Sequence, residues 1–193
     1  MTEEEILATT IGERRPLNST IRLAEYDPAW PSSYAILEGE IRAALGARVL
    51  RLEHVGSTSV PGLAAKPIID LVLQVEDSSN EAAYVPPLEA RGYVLRIREP
   101  DWFEHRVFKT PRIEGNLHVF SSGCEEIETM ILFRDRLRSY PEDRERYEAV
   151  KRKLAARTWK YTQNYADAKS DIVREILARA RRREGPHESS PMP

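Results

Sequence analysis

The nine residues from Pro67 to Val75, PIIDLVLQV, constrain the fold of this chain more than any other stretch. Side chains on a strand alternate between faces, so a strand apolar on both faces must be covered on both, which makes it a central strand. One charge interrupts the run: Asp70, flanked by Ile68, Ile69, Leu71 and Val72. A carboxylate in such surroundings is costly to bury unpaired, so it should sit at a strand end and meet a cation. That cation is either a metal or a basic side chain. The metal reading suits an oxygen-ligand ion such as magnesium, held by few protein carboxylates and several phosphate oxygens. The alternative is a salt bridge to Lys66 or Arg106.

The stretch leading into this strand, HVGSTSVPGLAAK, points the same way. Gly56 and Ser57 directly follow an expected strand, RVLRLEHV, and a glycine lets the backbone approach a ligand closely. Free amides and hydroxyls at such a turn form an anion cradle. Ser57, Thr58 and Ser59 can donate to phosphate oxygens, and Lys66 adds a point charge. A structural alternative stands beside this: Ser and Thr cap a short helix, and Pro61-Gly62 simply turns the chain.

The remaining pattern fills in a mixed sheet. Residues 1–17 are polar and read as a loosely held arm, and IRLAEY reads as a short strand. Asp27 and Pro28 suit a helix start, and Trp30, Tyr34, Leu37, Ile41 and Leu45 form one stripe at helical spacing that Gly46 can end. Residues 78–91 read as helical around Pro86-Pro87. YVLRIRE, WFEHRVFKT and GNLHVF read as three strands joined by short turns, which favours antiparallel pairing. From Ser122 onward three helical stripes follow, and residues 184–193 read as a disordered tail. The expectation is one α/β (α+β) domain over residues 18–183, a mixed sheet with flanking helices and a helical C-terminal part.

Composition excludes some partners. The net charge of -2 argues against a dedicated DNA binder, which needs a basic patch to neutralise phosphates. The single cysteine, Cys124, allows no intramolecular disulfide and has no activating neighbour. An acidic start, MTEEEILATT, and the lack of a long apolar run point to a cytoplasmic protein without a membrane segment.

HVGSTSVPGLAAKPIIDL closely resembles the signature of the GrpB family, and the likeness extends through YDPAWP, EHRVFKT, NLHVF, LFRDRLRSYPEDRERYEAVKRKLA and YADAKSDIVREIL. The resemblance implies a nucleotidyltransferase-like fold, and related domains occur fused to dephospho-coenzyme A kinase. It implies a Gly-Ser motif, here Gly56-Ser57, an acidic strand beginning at Asp70, a nucleoside triphosphate and a divalent metal (magnesium or manganese), with transfer of a nucleotidyl group to an unknown small-molecule or macromolecular acceptor. One departure matters. Active members of the superfamily carry carboxylates at i and i+2 of that strand, where alternate residues share a face, and here the second position is Val72. Glu53 is then a candidate second metal ligand. His118 is a candidate for the place of a further carboxylate or for a general base. Of His105 and Arg106 only one can face the site, and Arg106, with its planar fork, is the better phosphate partner. Lys169, on an otherwise apolar helical face, is either a site residue or part of that face. His54 reads as a brace for the loop, and Arg134-Asp135 as an interhelix pair. Two function classes follow: a metal-dependent nucleotidyltransferase, or a non-catalytic module that binds a nucleotide or coenzyme precursor and acts through a protein partner.

Overall fold

The computed structural model describes residues 2–13 and 16–183. The apolar run becomes β2 (Ile69–Val75), buried along most of its length. It pairs antiparallel with β1 (Arg51–Val55) and parallel with β5 (Gly115–Ser121). Beyond β5 come β4 (His105–Lys109) and β3 (Val94–Glu99), both antiparallel to their neighbours. The order β1-β2-β5-β4-β3 is a mixed five-stranded sheet, the α/β class the element pattern implies. β2 is interior, although β5 takes the middle place.

One face of the sheet carries the main core. Ile69, Leu71, Leu73, Leu117, Val119 and Phe108 lie under α2 (Trp30–Leu45) and α3 (Val85–Glu89). Each fully buried side chain of this size contributes about 1.5–3 kcal/mol. The opposite face is covered in two halves by different means. Over β1, β2 and the far end of β5, α4 (Glu125–Ser139) sets Ile127 and Ile131 on Val55, Val72 and Phe120. The remaining half, running from Asp70 to Lys109, is the floor of a cavity of about 1390 Å3. α5 (Pro141–Ala155) and α6 (Thr162–Asp167) wall it, together with the turn before α7 (Ser170–Arg183).

Several expectations need correction. IRLAEY forms no strand; only Ala24 bridges to Ala65, because Pro28 and the helix start leave it no neighbouring ladder. The helix after it begins at Trp30 with Pro31 in its first turn, while Asp27 caps the approach by accepting from the Ala29 amide. Residues 78–91 are helical in two short pieces, a 3-10 turn at Glu81–Ala83 and an α-helix at Val85–Glu89 that holds both prolines in its first turn. The third C-terminal stripe is split at Lys169 into α6 and α7.

The loose arm is a packed element over residues 2–13. Thr2 and Glu5 form a capping box on α1 (Glu3–Thr9), Ile6 is fully buried, and Ile11 donates its amide to the Arg96 carbonyl beside β3. The tail expected at 184–193 lies outside the described residues.

Candidate functional site

Strand register builds the cavity floor. Asp70 on β2 lies opposite Asn116 on β5, which lies opposite Lys109 on β4, so these three side chains stand in one row across the sheet. The next row is Val72, His118 and Val107. Asp70 and Val72 do share a face. Val72 is closed under α4 in an apolar contact, so packing fills the place of a second carboxylate.

Asp70 is the carboxylate on the cavity floor, and four lysines line the same cavity, where Glu114 also acts on Lys66. Asn116 Nδ2 donates to its Oδ1 at 2.7 Å. Lys66, Lys109 and Lys169 each act on Asp70 electrostatically, and Lys151, only 2% exposed, lines the same cavity and feels Lys169. Enclosure raises the Asp70 carboxyl above its usual range, against the pull of Asn116 and the lysines. Burial lowers the lysines in turn, Lys66 to about 8 and Lys151 to about 7, with Lys169 adding to both shifts. Lys169 is itself lowered by burial and sits 4.7 Å from the centre of the Tyr165 ring, which Lys66 approaches from 5.9 Å. Lys151 Nζ donates to the Ala64 carbonyl. Four lysines lining one cavity, with burial acting on Lys66, Lys151 and Lys169, are suited to a bound polyanion.

Beside the ammoniums runs a chain of three side chains. Glu99 Oε2 is 2.7 Å from His105 Nδ1, and His105 Nε2 is 3.0 Å from His118 Nδ1. In the tautomer in which His105 Nδ1–H donates to Glu99, His105 Nε2 accepts from His118 Nδ1–H. That leaves His118 Nε2 as a lone pair on a ring that lines the cavity. Burial, then the neighbouring His105 and Lys109, lowers His118 to about 3 and keeps it neutral.

The loop after β1 is held from both sides. Gly56 has φ +69°, and a Cβ there would lie 2.5 Å from Asp70 Oδ2. Only glycine lets this turn pass over the carboxylate. Thr58 donates to the Ile68 carbonyl and meets His54 Nε2 at 3.1 Å, and His54 stacks on Tyr34. The His54 ring is thus a brace. Ser57 meets the Tyr147 hydroxyl of α5, and Val60 and Leu63 pack among α4, α5 and α7.

Of the residues singled out in the sequence, Asp70, His118, Gly56, Ser57, Thr58, Lys66 and Lys169 come together at this cavity. Three do not. Arg106 faces the opposite side of β4, where it pairs with Glu81 and Glu104, because strict alternation gives His105 the cavity side. Ser59 turns away and donates to the Gly56 carbonyl. Glu53 is held by Arg134 at 2.8 Å and Arg51 at 3.3 Å. A divalent ion does not fit this donor set. Asp70 is one carboxylate ringed by cations, Glu53 is already paired, and no cluster of three metal-ligating side chains occurs among the described residues.

Sequence reasoning missed Lys109, Lys151, Asn116 and the linking role of His105. The signals were present: Asn116 alternates with His118, Lys109 alternates with Val107 and His105, and Lys151 falls one turn after Tyr147 on a buried stripe.

Among the described residues, no helix is long and apolar enough to cross a membrane. A family model described as GrpB protein matches residues 20–179. UPF0157 protein BH1888 of Halalkalibacterium halodurans is 58% identical over 179 residues, covering 93% of this chain and 92% of that protein. A dephospho-CoA kinase of Mycolicibacterium paratuberculosis is 29% identical over 199 residues, which cover 90% of this chain but 49% of the kinase. The crystal structure of the conserved protein GrpB from Enterococcus faecalis superposes with a TM-score of 0.70 at 28% identity, covering 84% of this chain and 98% of that one. The chain described here belongs to the GrpB family.

Proposed function

We propose that this protein binds the phosphates of a nucleoside triphosphate, or of a related phosphorylated coenzyme precursor, in the cavity above Asp70. The observation that carries this reading is the convergence of Lys66, Lys109, Lys151 and Lys169 on one cavity, with Lys66, Lys109 and Lys169 acting on Asp70 at its floor. Ammoniums neutralise the phosphates in place of a metal held by protein carboxylates, and Ser57 beside Gly56 adds a hydroxyl. The cavity is also lined by Trp102, which is 42% exposed. An exposed indole next to a cationic floor suits a nucleobase, which stacks on aromatic faces for about 1–3 kcal/mol. The relatives named dephospho-CoA kinase, in which a region like this chain makes up roughly half the length, are in keeping with a coenzyme precursor.

A second reading adds nucleotidyl transfer to an unknown acceptor. It is favoured by the Glu99-His105-His118 chain, which leaves His118 Nε2 free to take a proton. The acceptor hydroxyl oxygen would attack the α-phosphorus while its proton passes to Nε2, and pyrophosphate would leave with the bonding electron pair.

Thermal unfolding with each of the four triphosphates and with tripolyphosphate, on wild type and Lys169→Met, tests the binding reading. A ligand at a hundred times its dissociation constant adds about 2.7 kcal/mol, or on the order of 5–10 °C for a chain of this size. The expected result is a shift with tripolyphosphate, a larger one with a triphosphate, and both cut to about a third in the variant at the same ligand concentration. No shift with any of these polyanions would overturn the reading. Release of pyrophosphate from a labelled triphosphate, absent in His118→Ala, would then add transfer to binding.

A further inference from the structure

On the other side of the Gly56–Pro61 loop lies a second cavity, about 470 Å3 in volume, that shares no lining residue with the first. Its size falls within the range of small-molecule sites. Arg134, Arg138 and Arg144 meet there with Tyr26 and Tyr34.

The three arginines are not equivalent. Arg134 is fully engaged, donating to Glu53, to both oxygens of Asp135 and to the His54 carbonyl. Arg138 spends Nε and one terminal nitrogen on the Ser59 carbonyl, at 3.0 and 2.8 Å, and its other terminal nitrogen is 3.5 Å from Asp135. Arg144 and the Tyr26 hydroxyl have no side-chain partner among the described residues. Glu53 and Asp135 offset two of the three positive charges, and Glu53 is shared further with Arg51. The cavity therefore holds an uncompensated positive charge, and its unused donors are the Arg144 guanidinium, the remaining terminal nitrogen of Arg138 and a phenol, a set that matches a planar or tetrahedral oxyanion. Burial and the nearby Arg134 lower the pKa of Arg138, as expected where like charges are held together.

We propose that this cavity is a second binding site, for the carboxylate or phosphate group of a small organic acid, held by Arg138, Arg144 and the Tyr26 hydroxyl. The site stands independently of the lysine cavity. An occupant would lie against His54 near the end of β1 and against Ser59, on the loop whose Ser57 and Thr58 line the other cavity.

Histidine ring resonances separate the two sites, because His54 lines the arginine cavity and His105 and His118 line the lysine cavity. The full chain would be titrated at pH 7 with inorganic phosphate and, separately, with acetate. The expected result is a saturable movement of the His54 ring signals by one or both anions, weakened at least fivefold in Arg144→Gln and to a smaller degree in Tyr26→Phe, with the His105 and His118 response unchanged by either substitution. Which anion saturates at lower concentration tells a phosphate site from a carboxylate site. If His54 does not move, or moves identically in Arg144→Gln, the site does not exist and Arg144 is a solvated surface cation. Movement of His105 and His118 tests the lysine cavity separately in the same spectra.

Discussion

The two cavities flanking the Gly56–Pro61 loop are both cationic, yet their cations are used in opposite ways. On one side four lysines line one cavity with Asp70, and burial lowers at least three of them. On the other side Arg134 and Arg138 are tied to Glu53, Asp135 and the backbone of the loop, leaving Arg144 as the spare. Guanidinium forks suit this tying role because one side chain can bond several acceptors in fixed geometry, whereas an ammonium remains a point charge that shifts its pKa when desolvated. The difference teaches which positive charges hold the fold and which await a ligand.

The strongest test of that division is stability. Arg134→Met removes a partner at once from Glu53, Asp135 and the His54 carbonyl, leaving Glu53 to Arg51 and Asp135 to Arg138. Breaking a wholly buried pair costs about 3–5 kcal/mol, and the partial exposure of both carboxylates brings the expected loss down to about 2–3 kcal/mol. Urea unfolding measures it. A loss below about 0.5 kcal/mol, the level of an ordinary surface substitution, would erase the distinction between the two sides.

Lys169→Met is expected to behave in reverse. Its folded stability should equal or exceed that of the wild type, because a buried ammonium repelled by Lys66 and Lys151 is removed. Its affinity for a triphosphate should fall about 30-fold, corresponding to a charge-assisted hydrogen bond of about 2 kcal/mol. Titration calorimetry reads the second effect and urea unfolding the first. A variant as unstable as Arg134→Met would make Lys169 a structural cation.

A pH series sharpens the comparison. Lys66 at about 8 and Lys151 at about 7 lie below the ordinary lysine value of 10.5, so between those limits the unfolded chain binds more protons than the folded one. Ligand-free stability from these groups therefore climbs as pH rises from about 7 towards 10.5, with the cost of burying the charges fully present below that window. Phosphate affinity should move the other way, falling about tenfold from pH 7 to pH 9 as the ammoniums lose their protons. Proton uptake on binding at pH 8, seen as calorimetric heats that depend on the buffer, would confirm the link. An affinity flat across this range would show that neither lysine contacts the ligand.

Much of this arrangement is legible in the chain itself. Two-sided apolarity marked β2 as interior, and alternation put Asp70 and Val72 on one face, as the register shows. Alternation also said that only one of His105 and Arg106 could face the site. It could not say which, because that depends on the pairing of β4 with β5, and chemical preference for the guanidinium pointed to the wrong one. The same gap hid Lys109 and Asn116, whose significance comes from standing beside Asp70 in neighbouring strands. Lys151 was obscured differently: a lysine within KRKLA reads as solvated surface until α5 is docked and only 2% of it remains exposed. The arm was misjudged because polar composition outweighed Ile6, a single residue whose burial requires the edge of β3 to be in place.

Asp70→Asn gives the smallest expected change and separates two chemistries most cleanly. The substitution keeps the size of the side chain and leaves an oxygen to accept from Asn116 Nδ2. If Asp70 held a metal, the variant would lose whatever part of triphosphate binding depends on magnesium. In the arrangement described here the carboxylate instead opposes a bound polyanion and draws on the charge of Lys66, Lys109 and Lys169. Its removal should therefore tighten tripolyphosphate binding about fivefold, near 1 kcal/mol, which is the size of one charge interaction a few ångströms away through a partly wet cavity. The gain should be smaller at low pH, where the raised carboxyl of Asp70 is already protonated in the wild type. Calorimetric titration at pH 7, with and without magnesium, decides between them. A loss of tenfold or more confined to the magnesium titration would restore Asp70 as a metal ligand and reduce the lysines to its counter-charges.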